Sequence, residues 1–308
     1  MATKYVDRPI PQISLADFDY RVNTITEQLR SAAENVGFLA IVDHGISGAE
    51  IDAMFALSES FFKLPETAKK TVPMTPLNVG YECRSQVRPS TGVADEKESY
   101  QLQFGENMEG WWISDEHLPG FKAESLAFMH RLQGVSEKLM VCFAKILDFP
   151  DDHFVKAHDV SRPNCQSVLR LLHYFEIPKS SDGKVYHRAG AHVDWDFLTL
   201  LLQRKDQSGL EICPGREVVT EWAAGEAWTK VDCAPGRIVC NIGDLLMSWS
   251  DDRFKSTFHR VKAPVEEGDN YNERYSIAFF NQPCTDALIQ GPRKKYPMVS
   301  GKDFTTKV

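Results

Sequence analysis

The chain has 308 residues, 43% of them hydrophobic and 25% charged, so it can bury a sizeable core, and neither a disordered nor a fibrous class is indicated. Its 35 basic and 43 acidic side chains leave a net charge of -8, which argues against a nucleic-acid backbone or an anionic membrane as partner and favours a small-molecule substrate. Seven cysteines without a CxxC pair read as reduced thiols, and no leader-type h-region or run of roughly 18 apolar residues is found, so a cytoplasmic protein is expected.

In chain order, Val22, Ile25, Leu29, Ala32 and Val36 recur at three- and four-residue intervals before Gly37, predicting an amphipathic helix over 22–36. The apolar run Phe38-Leu39-Ala40-Ile41-Val42, stopped by Asp43-His44-Gly45, predicts a buried strand and a turn. A second helix over 49–63 turns Ile51, Met54, Phe55, Phe61 and Phe62 inward and ends before Pro65. Between Val72 and Gly120 periodicity is lost, which predicts a long, partly ordered loop region carrying substrate contacts. Over 124–147, Leu126, Met129, Leu132, Val135, Leu139, Cys142, Phe143 and Ile146 form the longest helical stripe, suited to backing a sheet.

From Ser167 onward the pattern shortens to β-type segments at 168–175, 198–202, 209–212, 237–241, 256–262 and 275–281. Asp182-Gly183, Pro214-Gly215, Pro235-Gly236 and Glu267-Gly268 separate most of them. Many short strands with such punctuation predict an antiparallel barrel or sandwich. With no internal repeat or linker, one catalytic domain over 1–308 is expected.

His192-Val193-Asp194 places an imidazole and a carboxylate on one face of extended backbone, where they can share a metal ion. Roughly one His-x-Asp arises by chance in a chain of this size, so the pair alone is weak. His259, 65 positions after Asp194 (259 − 194), adds the second imidazole of a facial triad that suits iron(II), although a hydrolytic zinc site uses the same residue types. Arg274-Tyr275-Ser276 bears on that choice. Alternation puts the guanidinium and the hydroxyl on one strand face, a clamp for the distal carboxylate of 2-oxoglutarate that has no role in a zinc hydrolase.

The segments Gly37-Phe38-Leu39, Asp43-His44-Gly45-Ile46, Phe61-Phe62-Lys63-Leu64-Pro65, Gly80-Tyr81, Asn241-Ile242-Gly243-Asp244-Leu245-Leu246, Ser256-x-x-His259-Arg260-Val261 and Arg274-Tyr275-Ser276 resemble, in order and spacing, the iron(II)/2-oxoglutarate dioxygenases related to isopenicillin N synthase. The resemblance runs from about Pro9 to Pro283. It implies a mainly β fold with helices: a double-stranded β-helix, or jelly-roll, over 167–283 behind an N-terminal helical and loop region over 1–120. It also implies iron(II) on His192, Asp194 and His259, 2-oxoglutarate and dioxygen as co-substrates, ascorbate as a reductant, and a monomer. It lends Tyr174 a contact to the co-substrate's distal carboxylate, against the plainer reading of a core aromatic.

Several positions depart from the family's pattern. Leu172 stands where an asparagine is common, and Trp195-Asp196-Phe197 replaces a stretch with glycine two residues past the carboxylate. The indole of Trp195 either lines the pocket or packs in the core, and Asp196 shares the face of His192 and Asp194 but is not the residue the motif matches. Asp251-Asp252 replaces an Asn-Gly turn at little expected cost. Asn241, Gly243 and Asp244 read as turn-forming stability residues, and His44 as structural.

The substrate pocket is expected to draw on Tyr81, Arg84, Tyr100, Gln103, Phe104, Leu172, Trp195, Phe197, Phe280 and Gln282, with Arg84 or Arg170 available to a substrate acid. The reaction implied is oxidation of a small molecule, by hydroxylation, desaturation or rearrangement, with release of succinate and carbon dioxide. Two alternatives stay open: an oxidase of the isopenicillin N synthase or ethylene-forming type that takes no 2-oxoglutarate, and, more remotely, a non-catalytic binding protein on the same scaffold.

Overall fold

Two β-sheets pack face to face around a cavity, and helices cover the outer face of the larger one. The computed structural model describes residues 3–87, 92–178, 186–213, 227–265 and 268–306; the turn signals at Asp182-Gly183, Pro214-Gly215 and Glu267 lie outside them. The first half of the chain runs β1 (Gln12–Ser14), α1 (Phe18–Asn35), β2 (Phe38–Val42), α2 (Gly48–Phe62), α3 (Glu66–Lys69), β3 (Gly80–Cys83), β4 (Lys97–Gln103), α4 (Phe121–Ile146) and α5 (His153–Ala157). Next come β5 (Val168–Tyr174), β6 (Ala189–His192), β7 (Leu198–Gln203), β8 (Leu210–Cys213), β9 (Thr229–Lys230), β10 (Ile238–Ile242) and α6 (Asp244–Trp249). The chain finishes with β11 (Phe258–Val261), β12 (Arg274–Asn281), β13 (Leu288–Ile289), β14 (Val299–Ser300) and α7 (Gly301–Thr306).

The larger sheet has the order β1-β2-β10-β7-β12-β5-β4-β3 and the smaller one β6-β11-β8-β9. All pairings but β1 with β2 are antiparallel, and the strand order exchanges between the sheets as a jelly-roll requires. Leu172 and Ala278 of the larger sheet meet Ala189 and Val261 of the smaller one, which closes the inner layer. On the outer face, Ile25 and Leu29 of α1, Phe61 of α2 and Met129 and Leu132 of α4 pack with Leu39, Leu102, Leu169, Leu200, Ile277 and Phe279. The apolar period of each helix thus meets the alternate residues of the strands beneath it. α2 starts on a capping box in which Glu50 N donates to Ser47 Oγ and Ser47 N to Glu50 Oε2, satisfying two donors at the helix end.

The expectation of loops throughout 72–120 is overturned, because that stretch contains β3 and β4, and β4 is buried along its whole length. Its sequence, Lys-Glu-Ser-Tyr-Gln-Leu-Gln, is mostly polar and carries no hydrophobic signal. It is buried because it lies between β3 and β5, with Tyr100 and Leu102 in the helix-covered core while Lys97, Gln101 and Gln103 line the cavity. Asp251 and Asp252, in place of the expected Asn-Gly, both adopt left-handed backbone (φ 55° and 63°). The Asp251 carboxylate accepts from Arg293 N (2.6 Å) and Lys295 N (2.9 Å), contacts that offset the strain asparagine or glycine would avoid.

Candidate active site

β6 and β11 are neighbours in the smaller sheet, and their register sets His192 directly opposite His259. Asp194 follows two residues beyond the end of β6. Its Oδ1 stands 3.8 Å from His192 Nε2 and 3.7 Å from His259 Nε2, and one ligand atom from each residue lies within 4.8 Å of the others. His192 Nδ1 donates to the Gly190 carbonyl at 2.7 Å and His259 Nδ1 to the Thr257 carbonyl at 3.3 Å. A carbonyl only accepts, so each ring carries a proton on Nδ1 and turns Nε2, the atom free to ligate a metal, toward Asp194. Two imidazoles and a carboxylate, buried or half-buried on the wall of a cavity of about 1090 Å³, form a donor set that can hold iron(II) with positions left for other ligands.

The second oxygen of Asp194 is held separately: Oδ2 accepts from Thr199 Oγ1 at 2.7 Å and from Asn241 Nδ2 at 2.8 Å. Asn241 is therefore more than the turn-forming residue expected from sequence, since it orients this carboxylate from β10. Thr199→Val and Asn241→Ala are each expected to weaken iron(II) binding about 10- to 100-fold, as loss of such outer contacts commonly does. Competition against a chelator measures this, and unchanged affinity in both variants would show that Asp194 is set by its backbone alone.

Asp196 is not part of the ligand cluster, although it lines the same cavity. It is 1% exposed; its Oδ2 shares the Thr199 hydroxyl at 3.1 Å, and burial, then the charge of Asp194, pushes its carboxyl well above the usual carboxylate range. Gly243 is needed here for space: its φ is an ordinary −92°, but a Cβ would stand 2.1 Å from the Asp196 carbonyl oxygen. The backbone freedom expected of this glycine is not what the position uses.

Arg274 and Ser276 sit at the start of β12, each 1% exposed and each lining the same cavity. The guanidinium donates from Nη1 to Ser276 Oγ (3.1 Å), from Nε to the Gln207 carbonyl (3.1 Å) and from Nη2 to Gln203 Oε1 (3.2 Å). It also lies 5.0 Å from the ring centre of Tyr174, its register partner on β5. All of these partners are neutral; a buried cation with no counter-charge among the described residues is costly, which marks this part of the cavity for an anion.

Of the expected pocket residues, Gln103, Leu172, Trp195, Phe280 and Gln282 line the cavity, and Trp195 is half exposed there rather than packed in the core. Tyr81, Arg84, Tyr100, Phe104 and Phe197 do not. Tyr100 stacks on Phe61, 4.3 Å between centroids, and Tyr81, opposite it in register, shares that outer face and donates to Glu98 at 2.5 Å. Phe104, one residue past Gln103, packs on Phe279. Phe197 is enclosed by Phe143, Phe154 and Trp249, and Arg84 lies exposed with Glu96 and the ring of Phe175. For Tyr81 and Tyr100 the register decides, because residues one apart on a strand face opposite ways; Arg84, Phe104 and Phe197 lie just outside β3, β4 and β7.

Sequence reasoning missed Gln101 and Lys302, which line the cavity, whereas Arg170, already a candidate for a substrate acid, lines it too. The period-two Gln101/Gln103 pair was the available signal. His44 is structural as expected: Nε2 donates to the Gly236 carbonyl at 3.1 Å, and burial lowers its pKa. His173 belongs to an outer-face network with Glu98 (2.8 Å) and Glu273 (3.2 Å).

Two facing antiparallel sheets with a two-histidine, one-carboxylate cluster and a buried arginine in one cavity define a jelly-roll enzyme of the mononuclear non-haem type. Residues 165–283 match the family model of the 2OG-Fe(II) oxygenase superfamily, and residues 10–116 match the model described as non-haem dioxygenase in morphine synthesis N-terminal. Proline hydroxylase buaE of Petromyces alliaceus is 30% identical over 88% of this chain and 85% of that protein. The 2-oxoglutarate-dependent dioxygenase frbA of Dothideomycetidae sp. is 28% identical over 90% and 88%. Among solved structures, a full-length Neurospora crassa protein in complex with alpha-KG superposes with a TM-score of 0.83 at 25% identity, covering 100% of this chain and 98% of that one. The same Neurospora crassa protein with alpha-KG and thymine gives 0.79 at 25% identity, covering 97% of each.

The chain belongs to the 2OG-Fe(II) oxygenase superfamily and is a 2-oxoglutarate-dependent dioxygenase, with iron(II) and 2-oxoglutarate as its cofactors. These findings favour 2-oxoglutarate use over the oxidase and binding-protein alternatives. Among the described residues no helix is long and apolar enough to cross a membrane.

Proposed function

We propose that His192, Asp194 and His259 hold the iron, that Arg274 and Ser276 bind the distal carboxylate of 2-oxoglutarate beside Tyr174, and that the remaining cavity takes a small-molecule substrate with a polar or acidic group. The observation that carries this is the placing of both groups along one cavity. Imidazoles and carboxylate lie on the smaller sheet's side, and a buried guanidinium bonded to neutral partners lies on the larger sheet's. Iron(II) and 2-oxoglutarate together supply dioxygen activation coupled to decarboxylation, which yields succinate, carbon dioxide and an oxidised substrate.

The chain's own residues do the positioning. Gly190 and Thr257 hold the imidazole tautomers, Thr199 and Asn241 hold Asp194, and the Arg274 fork fixes one end of the co-substrate, so that reacting groups meet in a set geometry. On the substrate side, the Arg170 guanidinium is bonded to Gln101 Oε1 and lies 5.1 Å from the ring centre of Phe280. With Trp195 and Leu172 on the same cavity, that combination suits a molecule with a flat or apolar body and an oxygen for Arg170 to meet. Thymine, bound in the Neurospora crassa complex, is a compound of that kind. The free cysteines fit a reducing cytoplasm; action as a single catalytic unit and as a monomer completes the reading.

Anaerobic titration of the iron(II)-loaded protein with 2-oxoglutarate is expected to produce the weak visible charge-transfer band of a chelated oxoacid. Arg274→Ala should raise the concentration needed by about 30-fold or more, since truncating one side of a buried charge-paired contact costs roughly 2–5 kcal/mol. Equal titrations of both proteins would remove Arg274 from the co-substrate site.

A further inference from the structure

Arg170, on β5, has Gln101 of β4 on one side in register and Ala278 of β12 on the other. Gln101 is 2% exposed, and its carboxamide is used at both ends. Its Oε1 accepts from Arg170 Nε at 2.7 Å and also from Arg170 Nη2. Its Nε2 donates to Asn78 Oδ1 at 2.8 Å and meets Met74 Sδ at 3.4 Å. Asn78 has left-handed backbone (φ 62°) in a turn closed by its own N–H on the Thr75 carbonyl at 3.1 Å. Gln103, two residues along β4, donates from Nε2 to the Leu77 carbonyl of that turn at 3.1 Å. Gln101, Gln103, Leu77, Asn78 and Arg170 all line the cavity.

Two donors on one oxygen fix the plane of the guanidinium, which lies 5.1 Å from the ring centre of Phe280. A glutamate at this position would fix the same plane and would also cancel the charge, whereas a glutamine orients the cation without cancelling it. The charges along this wall point the same way. Lys97 is bonded to Asp95, and Asp194, Asp196 and Arg274 lie at the iron and co-substrate positions in the reading above. Among the described residues, the charged side chains that remain on the cavity wall are Arg170, Lys302 and Glu106. That is two cations to one acid, in a chain of net charge -8. An anion gains more than a neutral oxygen from such a wall, because Coulomb attraction in a partly buried site adds to the hydrogen bonds.

We infer that Gln101 sets the substrate class: by orienting Arg170 without neutralising it, Gln101 makes the cavity select a substrate with a carboxylate or similar single anionic group on a flat or apolar body. This rests on the substrate lying against Arg170, and on iron and 2-oxoglutarate lying elsewhere in the cavity, as proposed above. Gln101 acts through Arg170, so it is a positioning residue rather than a catalytic one. The competing role is structural, in which its bond to Asn78 merely ties the turn over 75–78 to β4.

The test uses phenylacetate and phenylacetamide, two probes of one shape that differ in charge. Each is titrated calorimetrically, without oxygen, into protein saturated with iron(II) and 2-oxoglutarate, and the melting temperature of every variant is recorded. The wild type is expected to bind phenylacetate about tenfold or more tightly than phenylacetamide, and Gln101→Glu to bring that ratio to about one or below. The Asn78 amide can turn its Nδ2 toward the new carboxylate, so this variant keeps a tie to the turn. Arg170→Gln is expected to bring the ratio to about one as well. Gln101→Leu gives up the bond to Asn78 but leaves the charge of Arg170, and is expected to keep more of the preference than Gln101→Glu, losing about threefold. Should the glutamate variant fail to fold, the leucine variant and Arg170→Gln decide by the same ratio.

Equal affinity of the wild type for the two probes, or no binding of either, would overturn the assignment. Parallel weakening of both probes in Gln101→Glu and Gln101→Leu, with a lower melting temperature and an unchanged ratio, would overturn it in favour of the structural role. Failure of the wild type to bind 2-oxoglutarate would overturn it together with the co-substrate reading, and is seen separately because that titration precedes any probe.

Discussion

Asp194→Ala is expected to abolish turnover, by about 10³-fold or more, and to lose iron, whereas Asp196→Asn is expected to retain most iron binding. Both carboxylates lie within five residues of His192, and the sequence alternation puts them on one face. Only Asp194 places an oxygen 3.7–3.8 Å from both imidazole Nε2 atoms. Asp196 is buried against Thr199 and Gly243 and contributes no atom to that cluster. The metal supplies several kcal/mol of the barrier reduction and each 1.36 kcal/mol is tenfold in rate, so losing one of three protein ligands removes orders of magnitude. Iron content per chain and succinate release would decide. Loss of iron in Asp196→Asn with retention in Asp194→Ala would reverse the two assignments.

Gly37→Ala is expected to cost substantial stability. Gly37 ends α1 with φ +74°, and a Cβ would stand 2.2 Å from the Lys255 carbonyl oxygen and 2.6 Å from Thr257 Oγ1. An L-residue there meets the left-handed penalty of about 1–2 kcal/mol and an overpacking cost of about 1–3 kcal/mol. The total, about 2–5 kcal/mol, corresponds to a fall in melting temperature of roughly 3–8 °C for a chain of this size. Thr257 bonds the Val36 carbonyl at 2.6 Å and lies two residues before His259, so this close approach also seats β11. Calorimetry would measure the loss; a shift below about 2 °C would mean that the Lys255 segment yields freely.

The elements with strong apolar patterns were legible from residues alone. α1, α2 and α4 begin within a few residues of where the periodicity puts them, and β2, β5, β7, β8, β10, β11 and β12 occupy the predicted strand segments. β6 (Ala-Gly-Ala-His) is too small and short to signal a strand, and α6 hides in a stretch that reads as a turn. β4 is the instructive miss, since its polar residues are buried by pairing on both sides and by facing a polar cavity.

The sequence by itself determined a strand-rich barrel or sandwich and the kinds of chemistry present, because those depend on residue types and their spacing along one chain, and its resemblance to a known family supplied the jelly-roll. It could not tell which of ten plausible side chains face the cavity. Tyr100 and Gln103 sit on the same strand, yet one stacks under the helices and the other lines the site. Nor could it show that Asn241 on β10 holds Asp194, 47 positions away (241 − 194). Those outcomes belong to the tertiary structure, because the face a strand residue presents and the partner a buried charge meets follow from register and from contacts between segments far apart in the chain.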